Sequence, residues 1–258
     1  MIITFANQKG GVSKTTSCIA LASGLYNRGK RVLAIDLDPQ SNLCLGSGVD
    51  LLDLKDTLYD VFKGKIPFEK IIQKSAIGFD IAPGGLSLAG SDMEFTQTGR
   101  EFMLNESLKE VVDKYDYITI DTPPTIGILS VNGLSVSVEN KSHYVVIPML
   151  ADIYSVQGLS QLSGLIENVK KYCNKELKMG GFLITRYHER QNISKAVMEQ
   201  IEEIARQMNA PIFKTKIRES VAIKEAALLQ SNIFLEAPKA KATMDYNQFI
   251  DELIERCV

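Results

Sequence analysis

The stretch Asn7-Gln8-Lys9-Gly10-Gly11-Val12-Ser13-Lys14-Thr15-Thr16 decides which fold this chain is expected to adopt. It follows an apolar run at residues 2–6 that is typical of a strand buried on both faces, and it precedes a helical pattern that begins near Lys14. A loop in this position directs several backbone N–H groups and the positive end of a helix dipole at one point, which suits a polyphosphate. The sequence therefore predicts a phosphate-binding loop.

The side chains of this loop have the chemistry that phosphates and Mg²⁺ require. Lys14 is placed to reach the β- and γ-phosphates, the Thr15 hydroxyl to ligate Mg²⁺, and Thr16 to contact the α-phosphate. Gly10 and Gly11 allow the backbone to approach the ligand closely. The structural alternative is that these glycines only form a turn.

The loop departs from the usual pattern G-x-x-x-x-G-K-[ST], because Gln8 and Ser13 occupy its two glycine positions. Two strand ends support the assignment nonetheless. One buried strand leads into Asp36 and Asp38, whose spacing puts both carboxylates on one side of an extended chain, where one is positioned to orient a water. A later strand ends in Asp121, as expected for an aspartate that holds Mg²⁺ directly or through water.

These acidic residues also have structural interpretations. Asp36 or Asp121 can be a helix N-cap, and Asp38 can begin a turn with the proline that follows it. All three motifs occur in the order that a nucleotide site requires, and this order favours the functional interpretation.

Apolar runs that predict strands alternate along the chain with helical patterns. Strands are expected near residues 2–6, 31–35, 79–82, 117–120, 144–147, 181–185 and 212–216, and helices near 14–28, 100–114, 127–138, 153–173 and 193–208. This alternation predicts an α/β fold with a doubly wound, mostly parallel sheet flanked by helices, as in P-loop NTPases. No linker or repeat interrupts it, so we expect a single domain over residues 1–258.

The composition excludes several classes of protein. The 258 residues are 45% hydrophobic and carry a net charge of −2, which does not indicate a nucleic-acid binder by bulk charge. The four cysteines form no C-x-x-C pair, so neither a zinc site nor a disulfide framework is expected. No apolar run approaches the roughly 18 residues of a membrane span, and a cytoplasmic protein is predicted.

Further motifs have the order and spacing of a known family. They are Asp36-Leu37-Asp38-Pro39-Gln40-Ser41-Asn42, Leu88-Ala89-Gly90, Asp121-Thr122-Pro123-Pro124 and Gln157-Gly158-Leu159-Ser160-Gln161-Leu162. With the phosphate loop, they make nearly the whole chain resemble the ParA/MinD class of deviant P-loop ATPases, and specifically the short ParA proteins of the Soj type.

The resemblance implies a site that binds ATP and Mg²⁺. It implies that Lys9 is a signature lysine that reaches across an ATP-bound homodimer to the partner's phosphates. It also implies that Asp38 positions the hydrolytic water, that Asp36 supports the Mg²⁺ site with Thr15 and Asp121, and that residues of a later stretch complete the nucleotide site. The site residues expected to bind nucleotide are then Lys9, Gly10, Gly11, Val12, Ser13, Lys14, Thr15, Thr16, Ile217 and Arg218.

The resemblance also implies partners. The ATP-bound dimer is expected to bind DNA non-specifically, to be nucleoid-associated in that state, and to be released when a ParB-like centromere-binding protein stimulates hydrolysis. Residues 217–227 resemble the family stretch I-P-R-N-V-R-L-S-E-A-P, but Ala222 replaces an arginine associated with DNA contact. Other basic residues are candidates for phosphate contacts, with solvated helix faces as the alternative: Arg190, Lys195, Lys216 and Lys224.

Three other functions share this type of loop. A MinD-like membrane switch needs a basic amphipathic C-terminal helix, but residues 244–256 carry four acidic residues and one arginine, so we expect them to pack on the domain. An iron-protein reductase needs two cluster-binding cysteines, and none lies between Cys44 and Cys173. A metabolic ATP-dependent ligase or kinase stays open, because such enzymes differ mainly in their loops.

Overall fold

Seven strands form one sheet in the order β3-β4-β2-β5-β1-β6-β7 within the described part of the chain. The computed structural model describes residues 1–152, 158–188 and 195–257. The strands are β1 (Ile2–Phe5), β2 (Val32–Asp36), β3 (Gln73–Lys74), β4 (Asp80–Ala82), β5 (Tyr117–Asp121), β6 (His143–Met149) and β7 (Lys178–Ile184). All neighbouring strands are parallel except β3, which pairs antiparallel with β4.

Helices cover both faces of this sheet. They are α1 (Lys14–Asn27), α2 (Asn42–Gly46), α3 (Leu58–Phe62), α4 (Ser91–Glu94), α5 (Met103–Leu108), α6 (Ile128–Leu134), α7 (Leu159–Tyr172), α8 (Lys195–Gln207), α9 (Val221–Leu228), α10 (Ile233–Glu236) and α11 (Lys241–Cys257). Short 3-10 turns lie at Phe68–Ile71, Leu86–Gly90, Arg100–Phe102 and Val112–Lys114. The doubly wound, mostly parallel α/β fold predicted from the sequence is confirmed.

The alternation of side chains along β1 divides the core. Ile3 and Phe5 point into the cluster that packs under α1 and α11. Ile2 points to the opposite face, into the cluster that packs under α5 and α6. Because successive strand residues face opposite sides, a strand buried on both faces must be apolar throughout, as the sequence of β1 is.

The first helix has the bounds that the sequence predicts. It begins at Lys14 and ends at Asn27. Gly29, with φ of 73°, follows in the left-handed conformation that favours glycine. The N–H groups of Gly29 and Lys30 donate to carbonyls of the last turn at 2.9 and 3.1 Å, which satisfies the helix end.

The strand expected near residues 212–216 is not a member of the sheet. This segment runs beside β7 and forms a single isolated bridge with it, which joins Phe182 to Ile212. The N–H groups of Lys214 and Thr215 donate instead to the carboxylate of Glu252 in α11, at 2.8 and 3.0 Å. The Phe213 N–H still donates to the Phe182 carbonyl of β7 at 2.9 Å, but a side chain of another element takes the next donors. No continuous ladder forms with β7, and apolar periodicity alone does not reveal this.

Two of the predicted helices are also shorter than expected. The pattern at residues 100–114 forms only α5 with 3-10 turns on either side, and that at 127–138 forms α6. The side chain of Asn132 in α6 accepts from the Leu104 N–H at 2.9 Å and donates to the Arg100 carbonyl at 2.8 Å. This tertiary contact fixes the start of α5 and is not visible in the local sequence.

The C-terminal helix packs on the domain, as predicted. Its residues Tyr246, Phe249, Ile250 and Leu253 are buried in the cluster that also contains α1. Any side chain at Gly24 in α1 would collide with Ile250, so the two helices are in close contact. Within the described residues, no helix has the length and apolar character needed to cross a bilayer.

Candidate nucleotide site

The ends of two neighbouring strands hold the phosphate loop, which comprises residues 7–16. Asn7 donates from Nδ2 to the Pro148 carbonyl of β6 at 2.7 Å and accepts the Lys9 N–H at 3.0 Å. The Thr185 hydroxyl, just after β7, donates to the Val12 carbonyl at 3.0 Å. The loop is therefore fixed at both ends before any ligand binds.

Ser13 occupies the helix N-cap position in a left-handed conformation, with φ of 63°. This conformation destabilises a residue with a side chain by about 1–2 kcal/mol, and it explains why glycine is usual at this position in similar loops. The Ser13 hydroxyl makes no capping hydrogen bond to the described residues of α1. The side chain instead lies on the wall of the cleft above the loop.

Five residues meet at the carboxyl ends of β2 and β5 and the start of α1, and we name them the carboxylate cluster: Lys14, Thr15, Asp36, Asp38 and Asp121. Asp36 and Asp121 are opposite each other in the β2–β5 register. The Thr15 hydroxyl donates to Asp121 Oδ2 at 2.6 Å. Asp36 accepts the Asp38 N–H at 3.2 Å and an N–H of α2 at 3.0 Å. The structure thus brings together all the residues predicted to serve Mg²⁺ and the hydrolytic water.

Burial dominates the electrostatics of this cluster. It raises the pKa of Asp36 to about 7, although the hydrogen bonds from α2 and from Asp38 oppose the shift. Burial, followed by the charge of Asp36, raises the pKa of Asp121 well above its usual range. Burial also lowers the pKa of Lys14, against the attraction of Asp121 and Asp38. The buried acids exceed the buried cations, so the cluster gains by binding a positive ion.

The donor set fits Mg²⁺. Asp121 Oδ1 is buried and accepts no hydrogen bond from any described residue, while Oδ2 is bound to Thr15. Mg²⁺ is usually bound through one or two carboxylates together with substrate phosphates. Asp121 and Thr15 are the available ligands, and Asp36 is positioned to support them.

Lys9 lies at the mouth of the site. Its ammonium donates to both carboxylate oxygens of Asp152, which follows β6, at 2.9 and 3.0 Å. The two side chains are 28% and 37% exposed, so solvent screens the pair only in part. In the isolated chain, Lys9 therefore lies over its own loop in an ion pair, and not extended away from it.

An open cleft of about 840 Å³ continues from the phosphate loop towards α9. Its far wall includes Arg186, Ile217 and Arg218. Ile217 is 2% exposed and packs into the core, while Arg218 donates from Nη2 and Nε to Asp245 of α11 at 2.6 and 2.9 Å. Both predicted residues border the cleft, but the guanidinium of Arg218 is bound to a helix.

Sequence reasoning missed Arg186 and Tyr246 on the wall of this cleft. Tyr246 reaches it from α11, and its hydroxyl lies 3.1 Å from the Ser17 hydroxyl, a contact between residues far apart in sequence that no motif marks. Arg186 follows the end of β7, so the rule that parallel strand ends face the ligand crevice would have found it.

The predicted DNA contacts do not form one described surface. Lys224 lies at the rim of the cleft and donates to Glu219 at 2.9 Å. The Lys216 ammonium lies 5.1 Å from the centre of the Tyr187 ring. Arg190 lies outside the described residues, and Lys195 begins α8 with a side chain that is also outside them.

Comparisons with known proteins agree with this geometry. A family model described as an AAA domain matches residues 1–179. The chain is 35% identical to the sporulation initiation inhibitor protein Soj of Bacillus subtilis, over 98% of this chain and 97% of that protein. It is 33% identical to the chromosome partitioning protein ParA of Myxococcus xanthus, over 99% and 88% of the two chains. The chain belongs to the ParA/Soj family of partitioning ATPases.

Solved structures show that proteins with other named activities have a similar fold. A cobyrinic acid a,c-diamide synthase from Mycobacterium smegmatis, solved with bound ADP and magnesium, has a TM-score of 0.83 and 28% identity. The match covers 98% of this chain and 94% of that one. The Soj and ParA relatives confirm the resemblance predicted from the sequence, and the diamide synthase shows that another named enzyme has this fold.

Proposed function

We propose that this chain is an ATP-dependent DNA-partitioning switch. ATP and Mg²⁺ bind at the carboxylate cluster and drive homodimerisation, the dimer binds DNA non-specifically, and a ParB-like centromere-binding partner stimulates hydrolysis and releases it. The observation that carries the proposal is the carboxylate cluster itself, in which Asp121 Oδ1 is buried without a hydrogen-bond partner among the described residues. Family membership adds support, since the relatives named Soj and ParA match over nearly the whole chain.

Each residue of the cluster has a place in the proposed cycle. Lys14 and the loop N–H groups bind the phosphates, and Thr15 and Asp121 hold Mg²⁺, which neutralises charge on the phosphates. Asp38 orients the attacking water; its backbone is fixed by Asp36, and its Oδ1 accepts the Gln40 N–H at 3.0 Å. Asp36 keeps this arrangement rigid.

Lys9 supplies the link to dimerisation. In the single chain its ammonium is bound to Asp152, as described above. In the dimer it exchanges that carboxylate for the phosphates of the partner's nucleotide. A charge supplied in trans to a transferred phosphoryl group accelerates hydrolysis by roughly 10³–10⁵, or about 4–7 kcal/mol of barrier. Hydrolysis is therefore slow until the dimer and its partner assemble.

The membrane is not part of this proposal. The apolar face of α11 that a membrane-bound relative would need is buried against α1, with Tyr246, Phe249 and Ile250 at most 1% exposed. The chain places its C-terminal helix in the core, where it cannot insert into lipid without unfolding that contact.

An assay of ATP hydrolysis and DNA binding under matched conditions tests the proposal. Turnover is measured with and without generic DNA and the product of the neighbouring gene, at two salt concentrations, while DNA binding is measured with ATP, with ADP and without nucleotide. We expect slow basal turnover, stimulation by partner and DNA, and DNA binding that needs ATP and weakens with salt. DNA binding that is indifferent to ATP and salt contradicts the partition role.

A metabolic ligase is the second candidate, because the amide-forming cobyrinic acid synthase shares the fold at a TM-score of 0.83. A ligase turns over ATP only with its acid and amine substrates. Turnover that responds to such small molecules, and not to DNA or partner, would support this candidate over the partition switch.

A further inference from the structure

Two cationic side chains and one imidazole converge on one carboxylate at the rim of the nucleotide cleft. Glu219 accepts from Arg186 Nη2 at 3.3 Å and from Lys224 Nζ at 2.9 Å, and His188 Nε2 lies 2.8 Å from it. Arg186 and His188 follow β7, while Lys224 belongs to α9. We name these four residues the Glu219 cluster. Three donors from two separate elements surround one acidic group, as in an oxyanion site.

The carboxylate of the cluster is fixed more firmly than its cations are. The Glu219 N–H donates to the Tyr187 carbonyl at 3.1 Å, and the preceding Arg218 is anchored to Asp245. Its side chain is only 21% exposed, whereas those of Arg186 and His188 are 47% exposed and that of Lys224 is 67% exposed. Arg186 and Lys224 can therefore rotate outward on their long side chains, while the Glu219 carboxylate stays near the backbone.

The environment of Glu219 is that of a permanently charged acid. The hydrogen bond from Lys224 is the main reason why its pKa falls to about 2, with the charge of Arg186 adding to the shift. At neutral pH the carboxylate thus neutralises part of the positive charge that Arg186 and Lys224 bring to this rim. Exposed ion pairs of this kind contribute little to stability, so another anion can replace the carboxylate readily.

We propose that Glu219 occupies the position of a DNA backbone phosphate and acts as a built-in competitor of DNA. On binding, Arg186, His188 and Lys224 exchange the carboxylate for phosphates, and Glu219 then limits the affinity by repulsion. This inference rests on the proposed DNA binding of the ATP-bound dimer. It adds two residues, Arg186 and His188, to the DNA contacts predicted from sequence.

The position of the cluster favours DNA over the bound nucleotide as the source of phosphate. The Lys216 ammonium lies 5.1 Å from the centre of the Tyr187 ring, and Tyr187 stands between Arg186 and His188 in the chain. His188 is not part of the cleft wall, although Arg186 and Lys224 are. A chain with a net charge of −2 has no bulk attraction for DNA, so local cations must provide it.

The test compares two variants that remove the same charge. Glu219→Gln frees the cluster. Glu106→Gln serves as the matched control because Glu106 pairs with Lys109 at 2.7 Å on the exposed face of α5. DNA affinity is measured with the ATP-bound protein across a salt series, and nucleotide affinity with a fluorescent ATP analogue. Thermal unfolding of each variant verifies the fold.

We expect Glu219→Gln to bind DNA about three- to tenfold more tightly than wild type, with a salt slope steeper by up to about one unit. Glu106→Gln should bind as wild type does. Lys224→Gln in the Glu219→Gln background should remove most of the gain, since it withdraws one of the freed cations.

Three outcomes overturn the inference or its basis, and they are distinguishable. If Glu219→Gln and Glu106→Gln bind DNA equally, Glu219 is no competitor, while the partition function stands. If Glu219→Gln changes affinity for the ATP analogue and not for DNA, the cations serve the nucleotide. If neither wild type nor any variant binds DNA with ATP, the proposed DNA-binding function itself is wrong.

Discussion

The sheet carries two buried polar clusters, and they differ in how completely their hydrogen bonds are satisfied. The carboxylate cluster opens into the cleft and includes the unpaired Asp121 Oδ1. The histidine cluster, which comprises Thr4, His143 and Asn174, lies between β1, β6 and the segment after α7. Its members are at most 2% exposed.

Both ring nitrogens of His143 have partners. Nε2 lies 2.8 Å from the Thr4 hydroxyl, and Nδ1 lies 2.8 Å from the Val136 carbonyl, so Nδ1 carries the proton of the neutral ring. Asn174 donates to the same carbonyl at 2.6 Å. Every polar side chain of the histidine cluster has a partner, and the Thr4 hydroxyl is shared between His143 and the Gly133 carbonyl, at 2.7 Å from the latter. In the carboxylate cluster, by contrast, Asp121 Oδ1 has no partner among the described residues. The comparison teaches that burial of polar groups does not mark a site; unsatisfied capacity at an opening does.

The largest effect that tests this contrast is expected at Lys9, which lies at the mouth of the nucleotide site beside the carboxylate cluster. Lys9→Ala should abolish partner-stimulated hydrolysis, by roughly 10³–10⁵ or about 4–7 kcal/mol, because the charge supplied in trans is lost. ATP binding to the single chain should survive, since Lys14 still binds the phosphates. Stimulated turnover and ATP-dependent dimerisation are the measurements.

Asp152→Asn is the matched control for that experiment. It removes the carboxylate that holds Lys9 in the single chain but keeps the lysine. It should retain stimulated hydrolysis and dimerise at least as readily as wild type. A Lys9→Ala protein that hydrolyses and dimerises normally would show that Lys9 is a solvated loop residue, as the structural alternative has it.

Changes in the histidine cluster should alter the stability of the fold and leave ATP turnover unchanged. Burial lowers the pKa of His143 from 6.5 to about 4. The unfolded chain therefore binds a proton between these values while the folded chain does not, so stability is lost as the pH falls from about 6.5 to 4. The difference amounts to roughly 3 kcal/mol for this one group.

Denaturant unfolding of wild type and His143→Gln at several pH values measures this effect. The glutamine variant should be less stable at pH 7, and its stability should decline less on acidification, because it lacks the buried imidazole. Nucleotide affinity should be unchanged. An equal decline in both proteins would mean that His143 is already protonated or equally solvated in the folded chain.

The sequence predicted the carboxylate cluster far better than the histidine cluster, for a physical reason. Asp36 and Asp121 each end an apolar strand, and parallel strands bring their carboxyl ends together, so two local patterns and one topological rule suffice. His143, Thr4 and Asn174 carry no such pattern, because the contacts among these three residues join positions at least 31 apart. The prediction of a strand at residues 212–216 was wrong for the same reason. The Lys214 and Thr215 N–H groups donate to Glu252 of α11, which lies far away in the sequence.

A smaller effect is expected at the unpaired oxygen itself. Asp121→Asn removes a buried negative charge but leaves an oxygen for Thr15, so the ligand-free variant should be at least as stable as wild type. It should lose most of the stabilisation by Mg²⁺ and ATP, which reaches about 2.7 kcal/mol at a ligand concentration of 100 Kd. Thermal unfolding with and without Mg²⁺ and ATP measures both quantities. A ligand-free variant that is markedly less stable would place Asp121 among structural groups such as His143.

Backbone strain lies beside the carboxylate cluster, although no member of either cluster has a positive φ itself, and it yields the smallest prediction. Ser13 and Ser41 both cap helices in the left-handed region, with φ of 63° and 53°, and neither side chain caps its described helix. No residue of the histidine cluster has a positive φ. Strain of this kind concentrates where function over-determines the backbone.

Ser13→Gly and Ser41→Gly each remove the strain of a left-handed residue with a side chain, which stabilises the folded chain by about 1–2 kcal/mol. The greater freedom of glycine in the unfolded chain offsets about 0.4–1 kcal/mol of this gain. We expect a net gain of roughly 0.5–1 kcal/mol for each in denaturant unfolding. Ser13 borders the cleft, whereas Ser41 is 1% exposed, so only Ser13→Gly should also alter ATP affinity. If both variants gain stability and neither changes ATP affinity, the Ser13 hydroxyl has no part in binding, and its strain is a property of the turn alone.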